Sequence, residues 1–176
     1  DDNGFINARS MALLVLVAFC ATAIFLFSSQ NDDASHVTSD GVVSSVASLT
    51  YDGFDQLDET ERSTVMKALD KPVRKVAHVT EYAVLGMAVF AALGALFPAG
   101  HGSARDDRAS RRTDGRCGHA AMSPGARVRL ALLACFAYSG TDEFHQLFLA
   151  GRTARFSDCI IDTFGAAVGI MIACGI

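Results

Sequence analysis

The sequence predicts an all-α, polytopic membrane protein: a four-transmembrane-helix bundle with a polar, partly helical loop after the first span. Composition is the first reason. Hydrophobic residues make up 51% of the chain and charged ones 19%, below the roughly 25% of soluble domains, and mean hydropathy is +0.29. Distribution is the second. The apolar residues fall into four blocks separated by polar stretches, as in a chain whose solvent is lipid. At 176 residues the blocks and connectors make one domain, 1–176.

The first block, 11–27, is uncharged, and its 17 residues sit at the short end of what crosses a hydrocarbon core of about 30 Å. A cleaved signal peptide with Arg9 as basic flank is the competing reading. The apolar run is longer than the usual 7–15 residues or so of such segments, and no clear A-x-A site follows. A retained helix is expected.

Residues 29–75 are rich in Ser, Thr and Asp, with nine acids against five bases, so the segment is read as solvated. Val42, Val43, Val46 and Leu49 recur at helical spacing, as do Val65, Met66 and Leu69. The second pattern has Asp58 as N-cap, Glu61 three residues on, and Pro72 as its stop. Two short helices lying on the membrane or on the bundle are predicted.

The second block, 76–97, carries His78 and Glu81 in its first two turns and no charge afterwards; Pro98 and Gly100 close it. Residues 98–127 read as a disordered, arginine-rich connector without apolar periodicity. The third block, 128–148, is apolar from Leu130 to Tyr138 and then turns to T-D-E-F-H-Q. The fourth, 159–176, is apolar except for Asp162. It contains Gly165-x-x-x-Gly169, a spacing that lets membrane helices approach closely and would also serve an oligomer. A short loop with Gly151-Arg152 joins these last two as an antiparallel hairpin.

Several function classes drop out. Uniform basicity is absent, so no nucleic-acid partner is expected. The five cysteines form no C-x-x-C, which argues against a disulfide scaffold or zinc ribbon. Cys20, Cys135, Cys159 and Cys174 in or beside apolar blocks are expected to pack as small hydrophobes. His101, Cys117 and His119 lack a paired motif, and neither metal nor cofactor is predicted.

Alternating spans put both termini on the side of the 98–127 loop, with eight basic residues there against seven opposite. The count is nearly tied. The tight packing of loop arginines between spans tips the expectation to cytoplasmic termini. One conclusion is independent of that count. Alternation brings Lys75, His78 and Glu81, the end of block three at Asp142, Glu143 and Gln146, and the start of block four at Asp158 and Asp162 to one face, with Arg152 and Ser28-Ser29-Gln30. Ionisable residues inside a span are costly and by default mark a site.

Their spacing suggests several chemistries. Lys75-x-x-His78-x-x-Glu81 shares one helical face, and Asp142/Gln146 and Asp158/Asp162 are each one turn apart. These groups could lock the bundle through ion pairs and hydrogen bonds. His78-x-x-Glu81 and Asp142-x-x-His145 are similar to carboxylate–histidine metal pairs in bundles, but the order is reversed in the first and the other glutamates are missing. His78, Glu81 and Glu143 are the candidates for acid–base work, and Lys75 and Arg152 suit an anionic head group.

The chain resembles the VanZ-like membrane proteins, whose founding member is associated with low-level resistance to the glycopeptide teicoplanin. The resemblance is carried by Phe27-Ser28-Ser29-Gln30, Lys75-x-x-His78-x-x-Glu81-Tyr82-x-x-Leu85-Gly86, Asp142-Glu143-x-x-Gln146-x-Phe148-x-x-Gly151-Arg152 and Phe156-Ser157-Asp158-x-x-x-Asp162-Thr163-x-Gly165. Ala150 stands where relatives typically have Pro, which loosens that turn. The resemblance implies a bacterial cell-membrane protein with an envelope role and no settled reaction. The expected partners are membrane lipids, with a lipid-linked cell-wall precursor or a glycopeptide as ligand. An intramembrane hydrolase or transferase acting on a lipid phosphate, and an assembly partner without a small ligand, are the alternatives.

Overall fold

In the computed structural model, residues 7–29, 32–98, 122–149 and 155–175 are described, the side chains of 32–40 excepted. They form five α-helices and one 3-10 turn: α1 (Ala8–Ser28), α2 (Asp32–Thr50), the turn Phe54–Gln56, α3 (Glu59–Leu96), α4 (Pro124–Gln146) and α5 (Phe156–Cys174).

By length and apolar character three of these can cross a membrane: α1, α3 and α5. Four spans were predicted. The fourth, α4, has 23 residues, but Thr141, Asp142, Glu143, His145 and Gln146 crowd its last two turns and dilute its apolar stretch. Many of the bundle's outward residues are large and apolar, including Phe19, Leu26, Leu133, Phe164 and Ile172. That surface suits lipid and would be a liability in water.

The largest departure from expectation is α3. A stop was predicted before Pro72, yet one helix of 38 residues runs through it, about 57 Å long at 1.5 Å per residue. An internal proline removes one backbone bond and crowds the carbonyl of Ala68, a cost of roughly 3 kcal/mol. That cost is offset because both halves are held independently. In the N-terminal half, Arg62, Met66 and Asp70 line one pocket with Val43 of α2, the C-terminal half packs on α1, α4 and α5, and the Arg74–Asp70 ion pair spans the proline. The predicted start is found: Asp58 caps α3, accepting from the Glu61 N–H at 2.8 Å while Glu61 accepts from the Asp58 N–H. Asp58→Ala should lower stability by about 1 kcal/mol, read as an earlier thermal unfolding transition.

The first short pattern lies in α2, with Val43 and Ala47 buried. The 3-10 turn then reverses the chain. Gly53 takes a left-handed φ of +83°, which a Cβ would strain, and buried Phe54 lies under the Arg62 guanidinium, 4.8 Å from the ring centroid.

α3 is the hub. It touches α1, α2, α4 and α5, and α4 also packs on α5. Ser10 near the start of α1 donates to Ala95 O near the end of α3 (3.4 Å), so these two run antiparallel. The core gathers Ile24, Tyr82, Leu85, Cys135 and Ala166. Along the α3–α5 seam Gly165 faces Val79, Gly169 faces Ala83 and Gly86 faces Ala166, backbone against backbone. The Gly165/Gly169 pair therefore serves a contact within the chain, and an oligomer built on it would have to displace α3. Cys135 and Cys159 are buried as expected, whereas Cys174 is exposed.

Candidate functional site

Helix direction gathers the polar residues. α1 and α4 finish, and α5 starts, beside the stretch of α3 from Lys75 to Tyr82. The contacts prove the juxtaposition: Lys75 Nζ lies 2.9 Å from Asp158 Oδ1, His78 Nδ1 4.0 Å from Asp162 Oδ1, and Arg155 N donates to Glu143 Oε2 (2.8 Å). Gln146 Nε2 donates to both Ser28 Oγ (3.1 Å) and Asp142 Oδ2 (3.2 Å).

The burial gradient is steep. Asp142 is 2% exposed and Asp162 3%, while the Lys75 side chain is 52% exposed. The cluster thus has a wet rim at Lys75/Asp158 and a dry floor at Asp142/Asp162. Each floor residue is held by something specific. Asp162 accepts from Ser139 Oγ at 2.7 Å, one turn before Asp142 and Glu143 on α4. Glu143 accepts from the N–H of the residue that opens α5, where the positive end of the helix dipole favours a carboxylate. Gln146 ties α4 to the end of α1.

Among the described residues five carboxylates (Glu81, Asp142, Glu143, Asp158 and Asp162) share the region with Lys75 and His78. Two buried acceptors, Glu81 Oε2 and Asp142 Oδ1, have no hydrogen-bond partner among the described residues, nor does the Tyr82 hydroxyl at bonding geometry. Satisfied groups are the rule in protein interiors, so such orphans call for a reason.

Eight of the nine sequence-predicted residues come together here; Arg152, together with Gly151 and Gln30, lies outside the described residues, as does most of the arginine-rich connector. His145 does not join Asp142 as a metal pair. It turns to α1, 3.2 Å from Ser29 Oγ and with its ring 4.6 Å from that of Phe25. Among the described residues no three His, Cys, Asp or Glu side chains converge as metal ligands. The site list from sequence missed Ser139, Tyr82 and Tyr138. Tyr138 donates to Ala21 O (2.5 Å) on α1, and its ring is 6.2 Å from that of Tyr82. Position offered a signal for Ser139, which precedes Asp142 by three residues on the same helical face.

Exposed aromatic and aliphatic side chains ring this end: Phe27 from α1, Phe144 and Phe148 from α4 and its exit, and Phe156 from α5. Phe lacks the polar handle of the Trp and Tyr that populate interfacial belts, so these rings mark apolar, lipid-suited surface around the polar cluster. The family model described as VanZ/LLP1 matches residues 13–176. No curated protein and no solved structure matches the chain.

Proposed function

This chain belongs to the VanZ/LLP1 family, and we propose that it is a bacterial envelope protein that binds a lipid-linked cell-wall precursor or related lipid at its polar end. In this reading α4 is the fourth span, its Leu133 and Phe144 turned to lipid. The polar end faces outward, with both termini cytoplasmic. Occupancy of the site alters susceptibility to a glycopeptide such as teicoplanin.

One observation carries the proposal: among the described residues a buried, partly unsatisfied polar cluster stands where α1, α3, α4 and α5 meet, ringed by exposed phenylalanines. Locking the bundle together would not leave acceptors unpaired. Lys75, with donors beyond the one on Asp158, and Arg152 are the groups proposed to hold an anion, while His78, Glu81, Asp142, Glu143, Gln146, Asp158 and Asp162 shape the pocket and hydrogen-bond the ligand.

In cells made to depend on this protein for reduced glycopeptide susceptibility, Glu143→Gln and Arg152→Lys are expected to abolish the phenotype while membrane abundance stays at the wild-type level. Each should weaken ligand binding by roughly tenfold, the worth of a hydrogen bond to a charged group. Protein levels falling in step with the phenotype would show that these residues serve assembly alone. Turnover of a labelled lipid phosphate by the purified protein would instead favour the hydrolase or transferase reading, with His78 and Glu143 as acid and base.

A further inference from the structure

The unfilled hydrogen-bonding valence on the floor of the site specifies the class of head group, an inference that rests on the binding role proposed above. Among the described residues three buried atoms there have no partner at hydrogen-bond geometry: Glu81 Oε2, Asp142 Oδ1 and the Tyr82 hydroxyl. Tyr82 is 0% exposed. Its hydroxyl lies beside that of Ser139, whose own O–H is given to Asp162, and within electrostatic reach of Asp142 and Asp162, and Glu81 is within reach of Asp142 and His78. The set therefore contains two acceptors that can only accept while ionised and one O–H that can donate.

Ligand classes differ in how they complete such a set. A cation satisfies the carboxylates and leaves the Tyr82 O–H without an acceptor. A phosphate accepts from Tyr82 but meets Glu81, Asp142 and Asp162 as like charges in a poorly screened interior. An alcohol does both, accepting from the phenol while donating to a carboxylate. Two neighbouring hydroxyls on one ring supply a donor for each of Glu81 and Asp142. We propose that Tyr82, Glu81 and Asp142 form a subsite for the hydroxyl groups of a sugar or polyol head group, with Tyr82 as donor and the two carboxylates as acceptors. The charged rim at Lys75 is then left for whatever phosphate links that head group to its lipid.

The test uses the full chain in lipid nanodiscs and three probes with identical acyl chains: a monoglucosyl diacylglycerol, the diacylglycerol itself, and the phosphatidic acid. The glucosyl lipid is expected to bind at least about tenfold tighter than the diacylglycerol. Tyr82→Phe should lose about tenfold of that preference, and Asp142→Asn, which keeps the side chain's shape, should lose a similar factor. Without lipid, Tyr82→Phe should melt at or above the wild-type temperature, because it removes a buried donor that has no acceptor; a misfolded variant would melt lower. Equal binding of the glucosyl lipid and the diacylglycerol, or no change on Tyr82→Phe, would overturn the subsite and point to water as the occupant. A preference for phosphatidic acid that survives Tyr82→Phe would overturn it too while leaving the lipid-binding role standing. Failure of all three lipids, and of a lipid-linked precursor, to bind would overturn both.

Discussion

Gly169→Ala should break the pairing of α3 with α5. A Cβ at this position would stand 1.9 Å from Ala83 O, 2.6 Å from Ala83 C and 2.9 Å from Ala83 Cα. All three atoms belong to the backbone of α3, so no side chain can rotate out of the way and the helices themselves must separate. Overpacking a core commonly costs about 1–3 kcal/mol, and a clash between two helix backbones belongs at the top of that range, on the order of 3 kcal/mol. The neighbouring positions should behave alike, with closest approaches of 2.4 Å to Val79 O at Gly165 and 2.5 Å to Ala166 O at Gly86. Gly140 on α4 is the control. A Cβ there meets nothing within 4 Å, so Gly140→Ala should raise stability by about 0.5–1 kcal/mol through helix propensity. Thermal unfolding in one detergent, with membrane abundance measured in parallel, separates the two outcomes. If Gly169→Ala unfolds no earlier than Gly140→Ala, the close seam does not exist.

Asp162 should be the most sensitive residue of the site itself. It is 3% exposed and sits where three helices meet, taking the Ser139 hydroxyl of α4 at 2.7 Å and facing His78 of α3 at 4.0 Å. Asp162→Ala strands the fully buried Ser139 hydroxyl and leaves His78 without its carboxylate neighbour, a loss of about 1–3 kcal/mol. Asp162→Asn keeps the volume and an acceptor for Ser139, so its unfolding should fall close to wild type. Both variants should lose function, because the amide lacks the charge that orients His78 and completes the acidic floor. Stability and lipid binding measured on the pair decide the matter. An Asn variant as unstable as the Ala variant would mean that the carboxylate is purely structural.

Much of this arrangement could be read before any coordinates. Apolar blocks and the alternation of spans placed Lys75, His78, Glu81, Asp142, Glu143, Gln146, Asp158 and Asp162 at one end, because direction reverses at each connector whatever the detailed packing. Asp58 and Glu61 announced the start of α3 through side chains that act on their own local backbone. What escaped were matters of partner choice. Periodicity says which face a residue occupies and not what that face meets, so Gly165 and Gly169 could be seen as a close-approach motif without α3 being named as its mate. For the same reason the hydrogen bonds of Ser139, and the unpaired hydroxyl of Tyr82, were invisible. Pro72 misled because its cost is finite and local, whereas the packing that outweighs it comes from α2, α5 and α1, remote in sequence. The weak apolar character of α4 has a related origin: at one end it is lowered by residues the site requires, Asp142, Glu143 and Gln146, and at the other by Arg127 and Arg129.

The unbroken course of α3 has a consequence for how the protein can change. An α-helix advances about 100° per residue, so the face that receives α2 and the face that presents Lys75 and His78 are fixed in phase along a single rod. A one-residue insertion between Met66 and Lys75 would swing the α2 dock around the rod by more than a quarter-turn relative to the site, whereas a flexible linker would absorb it. The α2 dock and the polar floor are therefore geared together: displacement of α2 has a direct mechanical route to the site, and length variation in this stretch should come in whole helical turns.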